Sequence, residues 1–295
     1  MPIPVTLPDD RLIEETLARL ARAERVLIGA GAGLSVDAGI NYLDTAYFAR
    51  RFPAMLQYGF TCQYEFMGDL DWSEELQWGY LADHVNAVRY ETPAQPVYTK
   101  LFELVKDKDY FVITSNVDAQ FAKGGFSEGR IFTRQGRYDY LQCLAPCTTE
   151  VWPIEPVIDR ILPVIDPATQ QVTDPDVIPR CPHCGGPVFM NVRGGPWFVE
   201  EPYEALGEQF NDWLDDAWGA PLLLVEIGAG FNTPSVIRWP MEQIAQQHPD
   251  AHLLRVNPDY PQLPPELSGK ATSVRSGGLP FIEALHVRRS RGKLS

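Results

Sequence analysis

Four of the five cysteines form two closely spaced pairs, and this spacing is typical of a zinc site. Cys143 and Cys147 make a CxxxC pair, and Cys181 and Cys184 make a CxxC pair after 33 intervening residues. Zinc binds four thiolates tetrahedrally, and each short pair can supply two of them. Because four cysteine ligands leave no open coordination position, the pattern predicts a structural zinc rather than a catalytic one.

A glycine cluster, Gly29-Ala-Gly-Ala-Gly33, lies between an apolar run and a helix-like segment. Glycine lets the backbone approach a pyrophosphate closely, and a helix N-terminus behind it supplies N–H groups and a favourable dipole. Residue 34 is leucine and the next glycine is Gly39, so the spacing differs from the GxGxxG of dehydrogenases. The cluster predicts a nucleotide-phosphate site of another kind, with a plain tight turn as the alternative.

The elements that must position such a site alternate between strands and helices. The sequence predicts strands at 25–28, 110–114, 221–227, 252–256 and 271–274, and helices at 10–23, 93–106, 198–218, 236–247 and 280–287. This order predicts an α/β fold with a Rossmann-like, doubly wound parallel sheet. Ligands of such sheets bind at the carboxyl ends of the strands. The residues that follow predicted strand ends are Gly29 to Gly33, Asn116, Gly228 to Gly230 and Asn257.

Two segments interrupt this alternation. Residues 41–92 are rich in aromatic side chains without a strand-like run, which predicts an inserted helical module. Residues 137–192 hold the four paired cysteines, and the prolines in their middle predict irregular structure. We expect residues 1–295 to form a single catalytic domain, with both modules inserted into the nucleotide-binding part.

The net charge of −14 argues against a nucleic-acid partner, because phosphate binding needs clustered lysine and arginine. No apolar run reaches the roughly 20 residues that cross a bilayer, and the first ten residues lack a signal-peptide pattern. We therefore expect a cytoplasmic protein that binds neither nucleic acid nor membrane, in a reducing compartment that favours metal binding over disulfides.

Several blocks, in consistent order, resemble the sirtuin (Sir2) family. The blocks are Gly31-Ala-Gly-Leu-Ser-Val-Asp-Ala-Gly-Ile40 (GAGxSxxxGI in sirtuins), Thr114-Ser-Asn-Val-Asp118 (T-Q-N-I-D), Cys181-Pro-His-Cys-Gly-Gly186 (the second zinc pair), Gly228-Ala-Gly-Phe-Asn-Thr-Pro234 (GTSLxVxP) and Val256-Asn257 (Ile-Asn). The resemblance implies the sirtuin fold, NAD as a substrate and a bound structural zinc.

The resemblance also implies roles for single residues. Gly31, Ala32, Gly33 and Ser35 would contact the NAD phosphates. Ser115, Asn116 and Asp118 would line the nicotinamide pocket, although Asp118 could instead cap a helix. Asn41 and Tyr42 would lie in the loop over the nicotinamide, and Gly228, Ala229, Gly230 and Asn257 would hold the adenosine half.

One departure from the family pattern bears on the reaction. Gln135-Gly136 stands where sirtuins carry His-Gly. In deacylating sirtuins that histidine is the general base, and its pKa near 6.5 suits proton pickup at neutral pH. An amide cannot take a proton, whereas departure of nicotinamide needs no base. The resemblance therefore implies ADP-ribosyl transfer, with Asn116, Asp118 and Gln135 as the catalytic set.

A second departure is the loop after Ile40, which reads Asn41-Tyr-Leu-Asp44 instead of Pro-Asp-Phe-Arg. With Gln135, this loop resembles the class M, macrodomain-linked sirtuins. That likeness implies a protein acceptor, such as a lipoylated carrier protein of the glycine-cleavage H type, and a macrodomain hydrolase as a partner. The alternatives are an NAD-dependent deacylase, an NAD glycohydrolase and a non-catalytic NAD or ADP-ribose sensor.

Overall fold

The computed structural model describes residues 9–66 and 71–292. In these residues the strands are β1 (Arg25–Ala30), β2 (Asp109–Thr114), β3 (Ile131–Thr133), β4 (Gly136–Cys143), β5 (Trp152–Pro153), β6 (Val188–Val192), β7 (Leu222–Ile227), β8 (Ala251–Val256) and β9 (Ala271–Val274). The helices are α1 (Asp10–Arg22), α2 (Ala32–Asp37), α3 (Thr45–Arg51), α4 (Gln63–Phe66), α5 (Glu74–Val85), α6 (Pro96–Val105), α7 (Gln120–Lys123), α8 (Glu155–Ile161), α9 (Glu204–Asp216), α10 (Arg238–Gln247) and α11 (Gly278–Gly292).

The chain divides into two compact units. Unit 1 comprises the described residues of Met1–Gly39, Ala94–Gln135 and Tyr203–Ser295, and unit 2 comprises those of Ile40–Pro93 and Gly136–Pro202. The assignment of residues 1–295 to one domain, with inserted modules at 41–92 and 137–192, stays a prediction.

Unit 1 is built on a six-stranded sheet of order β3-β2-β1-β7-β8-β9, and every adjacent pair is parallel. The predicted doubly wound parallel sheet is confirmed. The chain runs outward from β1 through β2 to β3, then returns to the other side of β1 through β7. The strand order thus reverses between β1 and β7, and this switch point is where ligands bind in open α/β sheets.

Helices cover both faces of this sheet, which is why its central strands β1 and β7 are almost continuously apolar. Alternate residues of β1 point to opposite faces: Val26 and Ile28 join one core with α1, α6 and α11, and Leu27 joins a second core with α9 and α10. All three of these side chains are fully buried. Burial on both sides fixes the register, because a one-residue slip would exchange the two faces.

Two predictions of secondary structure were wrong. The last helix runs to Gly292 instead of ending near 287. The proline-rich module is also more regular than predicted, since β4 pairs antiparallel with β5 and β6, and α8 follows. Pro156 lies in the first turn of α8 and Pro163 in that of the 3₁₀ helix Leu162–Val164, where a proline removes no helical hydrogen bond.

The helical module of unit 2 has an aromatic core. Tyr80 of α5 lies within 6.3 Å, between ring centroids, of Phe48, Phe52 and Phe66. One turn later His84 is fully buried and stacks on Tyr80 at 5.7 Å. This packing explains the aromatic richness of the segment without any ligand.

His84 is held in one tautomer. Gln63 donates from Nε2 to His84 Nδ1 at 3.0 Å, so the ring proton lies on Nε2, 3.2 Å from the hydroxyl of Tyr138. Burial lowers the pKa of His84 to about 3, because the cation would lose its water. The ring also meets the edge of Tyr42 at 5.2 Å between centroids.

We expect this histidine to make the fold acid-sensitive. Its folded pKa is depressed, so the neutral form supports folding fully above the unfolded pKa of about 6.5, and that support is lost as the pH falls towards 3. The free energy of unfolding should drop by up to about 1.4 kcal/mol per pH unit below 6.5 on this account. Urea unfolding at several pH values should therefore give a shallower pH slope for His84→Gln than for the wild type. Equal slopes in the two proteins would contradict the assignment.

Among the described residues, no helix is both long enough and apolar enough to cross a membrane.

Candidate active site

The predicted site residues of unit 1 follow the strand ends at one edge of the sheet. Ala30 of β1 pairs with Thr114 of β2 and with Ile227 of β7, and Ile227 pairs with Val256 of β8. The residues immediately after these four paired ends are Gly31, Ser115, Gly228 and Asn257. Strand pairing alone therefore places them side by side at the switch point.

The glycines at this edge pack against one another. Gly228 has φ +66° and lies so close to the turn after β1 that an added Cβ would meet Leu34 N at 2.4 Å and Gly33 Cα at 2.7 Å. Equally, a Cβ on Gly31 would meet Gly228 O at 2.6 Å. The glycines are thus needed for contact between two loops. Approach of a phosphate to their backbone remains a separate prediction.

A buried chain of hydrogen bonds joins two of the predicted catalytic residues. Ser35, 6% exposed, donates from Oγ to Asp118 Oδ2 at 2.5 Å, and the same Oγ lies 3.4 Å from the hydroxyl of Tyr98. Because the Ser35 proton is committed to Asp118, the Tyr98 hydroxyl is the donor to Ser35. Asn116 Nδ2 in turn donates to the Tyr98 hydroxyl at 3.4 Å. The direction therefore runs Asn116 to Tyr98 to Ser35 to Asp118.

The same contacts orient the Asn116 amide. Its Nδ2 also donates to Gly31 O at 3.1 Å, so both amide hydrogens point into the protein. This leaves Oδ1 as the atom that can accept a hydrogen bond from a ligand. The backbone of Asn116 is held as well, since its N donates to Thr114 Oγ1 at 3.0 Å.

Tyr98 is a member of this site that the sequence did not predict. It lies on α6, fully buried, and burial followed by the neighbouring Asp118 charge raises its pKa well above the usual range. The phenol therefore stays protonated and keeps its place in the chain of hydrogen bonds. In the sequence, Tyr98 looks like any core residue on the buried face of a helix.

Both oxygens of Asp118 are engaged within the protein, which fits the helix-cap alternative, and its place in a nicotinamide pocket stays a prediction. Its Oδ1 accepts from Gln120 N at 3.0 Å, which caps the start of α7, while Oδ2 faces Ser35. Ser35 is thus engaged with a carboxylate, and its contact with an NAD phosphate stays a prediction. Ala32 opens α2 and is exposed, as a ligand contact would require.

Gln135 reaches the same edge through β3. Thr114 of β2 pairs with Thr133 of β3, and Asn116 and Gln135 each lie two residues beyond that pair. Gln135 is half-buried in the turn after β3. The three-residue strand β3 was not predicted, yet it is what aligns Gln135 with Asn116.

Asn41 and Tyr42 belong to unit 2, and both are half-buried. Asn41 Oδ1 accepts from Leu43 N at 3.0 Å, which closes a tight local turn. Tyr42 O accepts from Tyr64 N at 3.1 Å, and its ring rests on His84. The loop is therefore held within its own unit, and its contact with NAD stays a prediction.

The loop after β7 is linked to the residue after β8. Asn257, 4% exposed, donates from Nδ2 to Ala229 O at 2.9 Å and accepts at Oδ1 from Asp259 N and Tyr260 N at 3.0 and 2.9 Å. An added Cβ on Gly230 would meet nothing within 4 Å. The backbone at Gly230 thus borders open space at the ligand edge.

The four paired cysteines of unit 2 come together. Their sulfur atoms all lie within 4.8 Å of one another, with Cys143 Sγ 3.7 Å from Cys184 Sγ and Cys147 Sγ 3.5 Å from Cys181 Sγ. A tetrahedral zinc with bonds of about 2.3 Å places its sulfurs about 3.8 Å apart. The donor set and its spacing fit zinc.

The backbone around Cys181 and Cys184 explains how this pair forms half of the site. Cys181 N donates to Gly186 O at 2.9 Å and Gly185 N donates to Cys181 O at 2.8 Å, which closes a tight turn around the sulfurs. Gly185 has φ +70°, a conformation that glycine adopts without strain. Cys143 contributes from the end of β4, opposite Val188 of β6. The predicted four-cysteine cluster is confirmed.

Comparison with known proteins gives two informative relatives, whereas no protein-family model matches the chain. The chain is 39% identical over 240 residues to a protein of Fusarium oxysporum f. sp. cubense named as a probable bifunctional ADP-ribose hydrolase/ADP-ribosyltransferase, a match that covers 79% of this chain but 40% of that protein. It is 26% identical over 271 residues to a protein ADP-ribosyltransferase of Staphylococcus aureus, covering 88% of this chain and 82% of that protein.

Solved structures of Sir2 homologues resemble the whole chain. A mutant Sir2 homologue in complex with ADP-ribose has a TM-score of 0.60 at 17% identity, over 98% of this chain and 99% of that one. A Sir2 homologue in complex with NAD has a TM-score of 0.60 at 19% identity, over 96% and 95%. This chain therefore has the Sir2 fold, as its sequence blocks predict. The fold and the relatives together are consistent with a sirtuin-family protein, and the class M subtype stays a prediction.

Proposed function

We propose that this chain is an NAD-dependent protein ADP-ribosyltransferase, which releases nicotinamide and transfers ADP-ribose to a protein acceptor. The observation that carries the proposal is the pre-oriented carboxamide of Asn116 beside the buried Asp118, at the switch point of a Sir2 fold. Two relatives named as ADP-ribosyltransferases support it, although the chain spans only 40% of the first of them.

In this proposal NAD is the substrate, and the residues of unit 1 bind it along the sheet edge. Gly31, Ala32, Gly33 and Ser35 would hold the phosphates, while Gly228, Ala229, Gly230 and Asn257 would hold the adenosine half. Ser115, Asn116 and Asp118 would hold the nicotinamide. These assignments follow the resemblance to sirtuins and remain proposals.

The catalytic residues would act by placing polar groups instead of moving protons. The two hydrogen bonds donated by Asn116 Nδ2 leave Oδ1 free to accept one from the ligand. The buried Asp118 carboxylate would supply negative charge near the ribose carbon that becomes positive as nicotinamide leaves. Fixed polar groups of this kind need no reorganisation at the moment of reaction, and they are commonly the largest catalytic contribution. Gln135 would hold the ribose through hydrogen bonds. Its amide would not act as the general base that deacylation requires.

The acceptor we propose is a lipoylated carrier protein of the glycine-cleavage H type. A nucleophilic side chain of the carrier would attack C1′ of the ribose as the bond to nicotinamide breaks, and the nucleophile's proton would pass to solvent. The partner we propose is a macrodomain ADP-ribose hydrolase. The first relative supports this pairing, because its name joins both activities and most of its length lies outside the match. Both partners would meet the chain in the cytoplasm.

The test is intact-mass spectrometry of candidate carriers, lipoylated and unlipoylated, after incubation with this protein and NAD, while nicotinamide release is followed. We expect an ADP-ribose adduct on the lipoylated carrier, equal in amount to the nicotinamide released. Nicotinamide release without an adduct on any protein would overturn the transferase assignment in favour of NAD hydrolysis. Binding of NAD without release would instead indicate a sensor.

A further inference from the structure

A buried arginine spans the loop after β7 and the loop after β8. Arg238, in the first turn of α10, is 3% exposed and donates from Nη1 to Ala229 O at 3.3 Å and to Tyr260 O at 3.0 Å. Its Nη2 donates to Gln262 O at 3.0 Å. Ala229 lies in the first loop, and Tyr260 and Gln262 lie in the second. One guanidinium therefore sets the distance between the two loops.

A buried ion network holds this guanidinium. Arg255 of β8 pairs with both carboxylate oxygens of Glu226 of β7, at 2.6 and 2.8 Å, and with Glu242 at 2.7 Å. Arg238 lies 3.8 Å from each of these carboxylates. The carboxylates are thus close enough to balance its charge, while its hydrogen bonds go to the loop carbonyls.

Stability by itself is a weak explanation of such a network. Replacing a buried ion network by apolar groups of similar size is often neutral or stabilising, because the charges must lose their water. A network of this kind is better explained by its ability to fix the relative positions of the groups it contacts. Here the contacted groups are the carbonyls of two loops at the ligand edge.

The outer side of the arginine is covered by exposed aromatic rings. Arg238 Cζ lies 4.4 Å from the ring centroid of Phe231, and Phe231 packs edge-on against Tyr260 at 5.3 Å. Phe231 and Tyr260 are 54% and 46% exposed. Asn257 donates to the same Ala229 carbonyl as Arg238. The arginine thus lies directly beneath the surface that these two loops present.

We propose that Arg238 is a positioning residue for NAD: by tying the loop after β7 to the loop after β8, it holds the two halves of the adenosine site at the spacing that NAD needs. This inference rests on the NAD site proposed above. Arg238 touches loop carbonyls and not the reacting atoms, so its effect is on affinity for the nucleotide instead of on bond breaking.

The test is Arg238→Lys, which keeps the charge but cannot reach three carbonyls with a planar fork. We expect the KM for NAD in nicotinamide release to rise about tenfold, equivalent to about 1.4 kcal/mol, with kcat changed less than about twofold. The Kd of ADP-ribose, measured by calorimetry, should rise by the same factor. A structural role without positioning would lower the melting temperature and leave both constants unchanged.

Arg25→Lys is the matched control. Arg25 also donates to a carbonyl, that of Trp213 at 2.7 Å, and lies over an aromatic ring, but it begins β1 at the opposite edge of the sheet. This variant should keep the wild-type KM and Kd. Unchanged KM and Kd in a folded Arg238→Lys protein would overturn the proposal, as would a loss confined to kcat.

If Arg238→Lys does not fold, Arg238→Gln replaces it, because the planar amide can still donate to one loop carbonyl while the remaining bonds are lost and no unpaired charge is buried. A raised Kd for ADP-ribose supports the proposal, and an unchanged Kd overturns it. If the wild type releases no nicotinamide, the proposed function fails, while the ADP-ribose Kd still tests the role of Arg238.

Discussion

Asn116→Ala should slow nicotinamide release by about 10²- to 10³-fold, which is the usual loss when one fixed polar group is removed from a reacting centre. The amide of Asn116 is fixed by Gly31 O and the Tyr98 hydroxyl, and its remaining oxygen is the group we expect to face the ligand. Alanine removes that oxygen and leaves the backbone bond from residue 116 to Thr114 in place. The measurement is initial-rate nicotinamide release at saturating NAD.

The matched control is Asn86→Ala. Asn86 is also half-buried and donates from Nδ2 to a side-chain oxygen, that of Glu91 at 2.8 Å, but it follows α5 in unit 2. It should release nicotinamide at the wild-type rate. Wild-type release by Asn116→Ala, with the fold intact by circular dichroism, would contradict both the catalytic assignment and the proposed nicotinamide pocket.

Cys181→Ala should abolish zinc binding and prevent unit 2 from folding stably. Zinc would join the end of β4, through Cys143, to the turn before β6, through Cys181 and Cys184. Structural zinc contributes on the order of 10 kcal/mol to small domains, more than most domains have to spare. We expect zinc content by elemental analysis to fall from about one ion per chain to near zero, and the melting temperature to fall with it.

Cys62→Ala is the control that separates the loss of a zinc ligand from the loss of a buried cysteine outside the cluster. Cys62 is buried, 7% exposed, in the same unit but outside the cluster. The variant should lose about 1 kcal/mol of packing and keep its zinc. A Cys181→Ala protein with the melting temperature of the wild type would show that zinc bound by the four cysteines does not stabilise the fold.

The core of unit 1 could be predicted well because its signals are local. Each of β1, β2, β7 and β8 overlaps a mainly apolar segment that the sequence marks, since strands buried on both faces need mostly apolar residues. Strand β3 has no such signal: it is Ile-Phe-Thr, three residues with one buried side chain. It forms only because β2 offers a free edge for pairing.

The module of residues 137–192 was predicted less well for a related reason. Its prolines predict irregular structure, yet Pro153 lies in an edge strand and Pro156 and Pro163 lie at helix starts. Proline is tolerated at both kinds of position. The pairing of β4 with β6 depends on residues about fifty positions apart, for which a single sequence carries no signal.

The site residues also divide into those with a local sequence signal and those that depend on contacts between distant segments. The site's glycines and Asn116 were predicted from strand ends and Asp118 from the resemblance to sirtuins. Tyr98, Arg238 and the mutual contact of Gly31 with Gly228 were not predicted. Each of the missed features is a contact between segments far apart in the chain. Arg238 in particular has no pattern that distinguishes it from an exposed helical arginine.

The sequence by itself determined the α/β class, the order of its strands and helices, and the four cysteine ligands, because hydrophobic burial and short ligand spacing act within a few residues. The tertiary structure decided which strands flank β1, and therefore which strand ends meet at the site. It also decided that Ser35 meets Asp118, 83 positions away, and that Tyr98, 63 positions from Ser35, links them to Asn116. Such contacts depend on strand order and helix packing, which arise from the burial of the whole chain at once and not from any local run of residues.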